Sequence, residues 1–270
     1  MGKGVARRTR LAVAGCSLLC LWGCASVPRA RIRTSLRHPL GAHAIPLPGP
    51  VRTVVIDAGH GGHDAGTSHY SLKEKFLALD IAKRLRAHLE DAGLSVVMTR
   101  ETDRFIPLSG RPAIANRLGA DLFVSVHVNA NHNRRVSGAE VYYPRVSDVA
   151  SDAPWPPDVE ASEIAIPSTT VKDTLWDLLL GRTRSESRQL ASHICRSIRG
   201  DLQVSCKVAK PARFVVLREA WMPAVLVESG YVSNQEEAQR LGTAAYREAV
   251  ARAISDGIVS YIRDMGAQHI

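Results

Sequence analysis

Two histidines and one glutamate stand in this sequence where a metal ion can be held. His60 lies in a glycine-rich turn after the apolar run 54–56, and His127 lies near the end of a second apolar run, 122–128. Glu74 begins a helix-like stretch between them. Glycines let the backbone turn sharply and leave room beside an imidazole. Two imidazoles and a carboxylate with a fourth position open form the ligand set of catalytic zinc, so these three side chains are predicted zinc ligands.

The elements that must position these residues follow an alternating pattern from Val51 onward. Strand-like stretches are 52–57, 94–99, 122–128, 139–143, 213–217 and 224–228. Helix-like stretches are 74–92, 109–118, 185–199, 235–241 and 243–265. The alternation predicts a single α/β domain over 51–270, with a mostly parallel central sheet of about six strands and helices on both faces.

The helix-like stretch 74–92 carries apolar residues at helical spacing, which indicates a core-facing side. Glu74 then lies in the first turn, where the helix dipole favours a carboxylate. A role as a simple helix-start residue is therefore an alternative for Glu74. The glycine-rich loop that carries His60 directly before this helix favours the metal-binding interpretation.

Residues 1–23 form a predicted lipoprotein-type signal peptide. Four basic residues and no acidic one precede an apolar run of about 12 residues, Leu11–Trp22, which is too short to span a bilayer. The run ends in a sequence that resembles a bacterial lipoprotein box with Cys24 as the lipidated residue, although Trp22 stands where a small residue is usual. An ordinary signal peptide cut elsewhere is the alternative, and both interpretations predict export.

Two further stretches fall outside the alternating pattern. Residues 24–50 are rich in Pro, Arg, Ser and His and are interpreted as a tether between the anchor and the domain. Residues 144–184 contain several prolines and acidic residues, followed by an apolar stretch at helical spacing, 171–180. An insertion of this length is predicted to be a lid, a regulatory segment or a flexible acidic loop.

The net charge indicates which partners the chain can bind, and the cysteines bear on the compartment in which it works. Removing the four basic residues of the signal from the formal net charge of +9 leaves +5, which suits a polyanionic envelope polymer, an anionic membrane surface or a solvated face. The sequence has no nucleic-acid module. Cys195 and Cys206 can form a disulfide in an exported protein, or two buried free thiols.

The motifs of the domain, taken together, resemble those of the zinc-dependent N-acetylmuramoyl-L-alanine amidases. The matching pieces, in the family's order, are Asp57–Gly62 with Asp64 and Gly66, Glu74-Lys75, Thr99-Arg100 with Asp103, Leu108, Arg111, Ala115-Asn116, Ser125–Ala130, Val216–Arg218, and Pro223–Gly230 with Ser233-Asn234. The resemblance covers about residues 52–264. Ser71 departs from it, since many members have glycine there.

The resemblance implies a zinc hydrolase that cuts the amide between N-acetylmuramic acid and the first L-alanine of the peptidoglycan stem peptide. It implies one zinc ion on His60, Glu74 and His127, and it gives Glu228 the position of the catalytic glutamate. The residues agree with this implication, because a carboxylate beside zinc can take a proton from water and return it to the leaving amine. The expected setting is cell-wall turnover or daughter-cell separation.

Several neighbouring residues compete for these roles. His63 and His69 can replace His60 as a ligand or contact it from outside the ligand set. His132 is interpreted as a solvated loop residue. The carboxylates that compete with Glu228 are Glu140 and Glu219.

Three more residues have two interpretations each. Asp57 and Asp64 can orient an imidazole from outside the ligand set, or they can be turn and cap residues. Asn129 can touch the substrate or only end its strand.

Regulation and location are also implied by resemblance. Some relatives carry a helix in the region of 144–184 that occupies the active site until a protein partner removes it, and Glu160 or Glu163 is the candidate to reach zinc in such a state. Cys24 is followed by Ala25, and the lack of an aspartate there favours the outer membrane, so a periplasmic enzyme attached through a lipid anchor is expected.

Two other functions fit the same residues less well. A zinc peptidase on this scaffold would cut ordinary peptide bonds. A non-catalytic peptidoglycan-binding lipoprotein would keep the fold but lose a ligand or the glutamate, and the sequence retains all four residues.

Overall fold

The computed structural model describes residues 51–144, 169–208 and 213–267. The predicted signal peptide and tether, with Cys24, lie outside the described residues, and so do Glu160 and Glu163. Within the described ranges, no helix is long and apolar enough to cross a bilayer.

Strands and helices alternate along the chain as the sequence pattern predicts. The strands are β1 Thr53–Ala58, β2 Ser68–His69, β3 Leu72–Lys73, β4 Ser95–Met98, β5 Leu122–Asn129, β6 Ala139–Tyr142, β7 Cys206–Val208 and β8 Ala224–Tyr231. The helices are α1 Glu74–Asp91, α2 Gly110–Leu118, α3 Thr169–Leu202, α4 Val215–Arg218, α5 Gln235–Leu241 and α6 Ala244–Ala267.

Six of the strands form one sheet in the order β4-β1-β5-β8-β6-β7, and β2 and β3 form a separate small hairpin. Strands β4, β1, β5 and β8 run parallel to one another. Strand β6 is antiparallel to β8, and β7 is parallel to β6. The predicted mostly parallel sheet of about six strands is confirmed, and the carboxyl ends of β1, β5 and β8 lie side by side.

The two faces of this sheet are covered by different helices. Successive side chains of a strand point to opposite faces, and in β1 Val54 and Ile56 join one buried cluster whereas Val55 joins the other. The larger cluster contains residues of α1, α3 and α6, and the smaller one contains residues of α2 and α4. Each fully buried branched side chain contributes about 1.5–3 kcal/mol. Helices on both faces are therefore confirmed.

One predicted strand is wrong. The stretch 213–217 does not join the sheet, because Val215–Arg218 forms the short helix α4, and β7 takes the outer position instead. Periodicity cannot separate a strand from a helix over so few apolar residues. In this case Val216 and Leu217 gain burial against the smaller cluster without pairing to a strand.

Helix α3 is longer than predicted, and it includes part of the predicted insertion. It begins at Thr169, so the apolar stretch 171–180 and the predicted helix 185–199 are one continuous element. Residues 169–184 of the predicted insertion therefore belong to α3, whereas 145–168 lie outside the described part of the chain. Cys195 in α3 and Cys206 in β7 are joined by a disulfide, with their Cα atoms 5.3 Å apart.

Candidate active site

Three elements bring the predicted ligands to one edge of the sheet. His60 follows the end of β1, and His127 lies near the end of the neighbouring parallel strand β5. Glu74 is the first residue of α1. Because parallel strands end at the same edge, the sheet presents both imidazoles to one crevice, and α1 adds the carboxylate from its first turn.

The three side chains converge on a single point. His60 Nε2 lies 3.0 Å from Glu74 Oε1, and His127 Nδ1 lies 2.8 Å from the same oxygen. One nitrogen or oxygen from each side chain lies within 4.8 Å of the others. The two rings meet edge to face, with centroids 4.9 Å apart and planes inclined at 78°.

The Glu74 carboxylate is held as an anion. Its Oε1 also accepts a hydrogen bond from Val128 N at 3.1 Å, and its Oε2 accepts one from Thr67 N at 2.9 Å. Burial opposes ionisation, yet the hydrogen bonds from His127 and His60 bring the pKa of Glu74 well below its usual range. The site thus keeps a negative charge beside two imidazole nitrogens, which is what a divalent cation requires.

His60 is fixed from behind by Asp64. Nδ1 of His60 donates to Asp64 Oδ2 at 2.8 Å, because an ionised carboxylate can only accept. This hydrogen bond fixes the ring so that Nε2 is the nitrogen directed at Glu74, and in a neutral imidazole it leaves the lone pair on Nε2, where a cation can bind it. The backbone of His60 has φ +59°, a left-handed conformation that costs a non-glycine residue roughly 1–2 kcal/mol.

Two glycines make the space that the ligands occupy. A Cβ on Gly59 would lie 2.3 Å from Cε1 of His127, and a Cβ on Gly66 would lie 2.5 Å from Oε2 of Glu74. Gly66 also has φ +64°. A side chain at either position would displace a predicted ligand.

Glu228 borders the same site from β8, where it is the register partner of His127. Its Oε2 is buried and has no hydrogen-bond partner within the described part of the chain. Burial raises the pKa of Glu228 to about 7; the carboxylates of Glu74 and Glu140 raise it too, whereas His127 opposes the shift. A carboxyl with this pKa can hold or release a proton near neutral pH.

A cleft of about 430 Å³ connects these groups to solvent. The three predicted ligands and Glu228 line it together with Asp64 and Asn129. Apolar side chains form another part of its wall: Leu108, Phe214, Val215, Val216 and Leu226. The arrangement combines a polar centre able to bind a cation with an apolar surface against which an organic substrate can pack.

A family model described as N-acetylmuramoyl-L-alanine amidase matches residues 54–260. The chain belongs to this family. An N-acetylmuramoyl-L-alanine amidase of Escherichia coli K12, AmiA, is 36% identical over 271 residues, covering 96% of this chain and 93% of the relative.

Solved structures agree with this assignment. The amidase AmiC2 of Nostoc punctiforme superimposes with a TM-score of 0.62 at 33% identity, covering 80% of this chain and 98% of that one. The CwlD amidase of Clostridioides difficile, solved in complex with the GerS lipoprotein, superimposes with a TM-score of 0.61 at 26% identity. The match covers 79% of this chain and 99% of that one.

Asp57, a motif residue of the amidase family, lies beneath the site and contacts no imidazole among the described residues. Its carboxylate accepts hydrogen bonds from Thr99 Oγ1 at 2.7 Å, Ser125 Oγ at 2.7 Å and Arg111 Nη1 at 2.9 Å. Arg111 in turn donates to the carbonyl oxygen of His60 at 3.0 Å. Asp57 is therefore connected to the predicted ligands through Arg111.

Two buried arginines hold the backbone of the histidine loop, and sequence reasoning assigned them no role. Arg100 donates to the carbonyl oxygens of Ala58 and Gly59 at 2.8 and 2.7 Å, and Arg111 donates to that of Ala58 at 2.9 Å. Arginine provides five donors in a rigid fork, which suits several carbonyls at once. Both arginines belong to the family motifs, so the match to those motifs was the sequence feature that could have indicated their role.

The competing histidines stay outside the converging set. His63 stacks on Phe105 with ring centroids 4.1 Å apart, and His69 lies beside Tyr70 in the small hairpin. His132 is exposed.

The competing carboxylates are also engaged elsewhere. Glu140 Oε2 accepts a hydrogen bond from the hydroxyl of Tyr142 at 2.6 Å, and Glu219 lies beside Arg218. Neither lines the cleft, whereas Glu228 does. Asn129 lines the cleft as well, and its Oδ1 accepts a hydrogen bond from the backbone N of Ala130 at 2.8 Å.

Proposed function

We propose that this chain is a zinc-dependent N-acetylmuramoyl-L-alanine amidase that hydrolyses the amide between N-acetylmuramic acid and L-alanine in peptidoglycan. One observation carries the proposal: His60, Glu74 and His127 converge within 4.8 Å, and the same cleft is lined by Glu228, whose Oε2 has no hydrogen-bond partner among the described residues. Family membership supports the substrate and the bond that is cut.

The donor set fits zinc. Two nitrogen ligands and one carboxylate oxygen are the ligands of several catalytic zinc sites, and His60, His127 and Glu74 would supply them here. Zinc at this position supplies Lewis-acid chemistry that activates water and polarises the amide carbonyl.

Glu228 carries the proton transfers. In its ionised form it accepts a proton from the attacking water, and in its protonated form it donates that proton to the amine nitrogen of L-alanine as the amide bond breaks. A pKa of about 7 allows both roles near neutral pH. Asp64 and Arg111 hold His60 in place, so that the ligand set does not rearrange during the reaction.

Export and anchoring belong to this proposal too. The basic and apolar start of the chain and Cys24 support a signal peptide over 1–23 and a lipid anchor, followed by a tether over 24–50 and a catalytic domain from Val51. A periplasmic enzyme on the outer membrane is the expected location. Mass spectrometry of the mature amino terminus tests it, and an unmodified Cys24 or cleavage elsewhere would contradict the anchor.

Control by a protein partner is proposed on two grounds. The CwlD amidase was solved in complex with a lipoprotein, and the segment 145–168, which directly precedes α3 in the sequence, contains Glu160 and Glu163. The role of these two residues in blocking the site stays a prediction. Deleting about Val149 to Thr170 should raise basal turnover, and unchanged or lower turnover would contradict it.

The main test measures zinc content and digestion of purified sacculi by the full-length chain. We expect one zinc per chain and released stem peptides with L-alanine at the new amino end. Glu228→Ala should keep zinc and lose turnover, whereas His127→Ala should lose both; Glu236→Ala, an exposed glutamate on α5, is the matched control. Hydrolysis of simple peptides in place of sacculi would favour the peptidase alternative. Binding of sacculi without release of peptide would favour the non-catalytic one.

A further inference from the structure

The segment between β5 and β6 carries exposed positive charge close, along the chain, to two residues that line the cleft, Asn129 and Ala130. Residues 131–135 are all exposed, and they include His132, Arg134 and Arg135. No carboxylate in the described ranges forms an ion pair with either arginine. We call residues 132–135 the cationic loop.

The backbone of the cationic loop is held in place while its charged side chains face solvent. Asn131 N donates to Ser233 Oγ at 2.9 Å, and Asn234 Nδ2 donates to the carbonyl oxygen of Arg134 at 3.0 Å. Arg135 N donates to Asn133 Oδ1 at 3.0 Å. The loop backbone is therefore tied to the turn after β8, and the exposed side chains of Arg134 and Arg135 extend from this backbone.

The distance between the cationic loop and the cleft is limited by the length of the chain that joins them. Asn129 and Ala130, which only Asn131 separates from the loop, line the cleft with the predicted ligands. A chain of four residues spans at most about 14 Å, so Arg134 lies within that distance of Ala130 before the length of its side chain is counted. The loop also follows the carboxyl end of β5, which is the edge that carries the site.

The chemistry of the cut bond specifies what reaches this loop. The amide joins the lactyl carbonyl of N-acetylmuramic acid to the amino end of a peptide. The peptide therefore extends from the scissile bond towards its carboxyl end, and a stem peptide that is not joined to another peptide carries a free carboxylate there. An extended peptide advances about 3.3–3.6 Å per residue, so a short stem peptide covers the distance from the cleft to the loop.

We propose that Arg134 and Arg135 bind the free carboxylates of the stem peptide, and so select acidic peptides and orient them with the amino end at the metal site. This proposal rests on the proposed function and adds the part of the substrate that the chain recognises. Arginine suits this task because its planar fork pairs with both oxygens of a carboxylate.

The test separates binding from catalysis by using the zinc-loaded full-length chain with Glu228→Gln. Its Kd is measured for an N-acetylmuramoyl peptide with free carboxylates and for the same peptide with all carboxylates amidated. We expect tighter binding of the free acid, and the double substitution Arg134→Gln and Arg135→Gln should raise that Kd by about tenfold without changing the Kd of the amidated peptide. The pair Arg134→Lys and Arg135→Lys should recover part of the loss, because the charge remains and the fork does not.

The matched control is the pair Lys83→Gln and Arg117→Gln, which removes two exposed charges on α1 and α2. A similar loss in this control, equal effects on both peptides, or no preference for the free acid would overturn the proposal. So would loss of binding to anionic lipid vesicles in the arginine variants with peptide binding unchanged. Failure of the zinc-loaded chain with an intact Glu228 and without residues 149–170 to release peptide from sacculi would instead overturn the proposed function, and the two failures are distinguishable because the Kd measurements do not depend on turnover.

Discussion

Asp64 accepts a hydrogen bond from Nδ1 of His60 at 2.8 Å, and this contact aims Nε2 of the same ring at Glu74. Asp64 is a loop residue for which the sequence allowed two interpretations. The hydrogen bond connects it to one of the predicted ligands. It gives Asp64 a specific physical task, which is to fix the tautomer and the orientation of an imidazole.

The first prediction concerns this contact. Asp64→Asn keeps an oxygen that can accept from Gly66 N but removes the charge that favours the Nδ1–H tautomer. We expect zinc affinity to fall about 10- to 100-fold, measured by competition with a chromogenic chelator. Asp91→Asn, at the exposed end of α1, should leave the affinity unchanged. Equal affinities for the two variants would show that Asp64 does not orient the ligand.

The second prediction concerns the space beside His127. In Gly59→Ala the new Cβ would lie 2.3 Å from Cε1 of the His127 ring, so the ring must shift from the position in which it contacts Glu74. We expect at least a tenfold loss of zinc affinity and of sacculus digestion, with circular dichroism showing a folded chain. Gly181→Ala in α3 is the control, since a Cβ there meets nothing within 4 Å. Normal zinc content in Gly59→Ala would contradict the close approach.

The sequence predicted the parallel sheet and the convergence of His60, Glu74 and His127, because both depend on short-range patterns. Apolar runs predict buried strands, and the ends of parallel strands must share an edge. The role of Asp57 could not be predicted in this way, since its partners Thr99, Arg111 and Ser125 come from other elements. The helical state of Val215–Arg218 depends equally on packing, which a four-residue pattern does not reveal.

The third prediction tests the buried pair beneath the site. Arg111 Nη1 donates to Asp57 Oδ1 at 2.9 Å, and both side chains are almost fully buried. Arg111→Met leaves the Asp57 charge buried with only two hydroxyl donors, so we expect the free energy of unfolding to fall by about 3–5 kcal/mol. Urea denaturation measures the loss.

A double substitution provides the control for this pair. Asp57→Asn together with Arg111→Met removes both charges, so its loss of stability should be smaller than the sum of the two single losses. Strict additivity would mean that the two side chains stabilise the fold independently.

The fourth prediction follows from Glu228. In the metal-free chain, burial raises its pKa from 4.5 to about 7. Between these two pH values the folded state binds more protons than the unfolded state, so the free energy of unfolding contributed by this group falls as the pH rises. We therefore compare the free energy of unfolding of Glu228→Gln with that of the unsubstituted chain. We expect the difference to shift by roughly 1–3 kcal/mol in favour of the variant between pH 4 and pH 8. Urea denaturation at both pH values, with a chelator present, measures this gain.

Glu236→Gln, which replaces an exposed glutamate on α5, is the control and should show the same difference from the unsubstituted chain at both pH values. A pH-independent effect of Glu228→Gln would mean that burial does not raise the pKa of this carboxyl in the folded, metal-free chain.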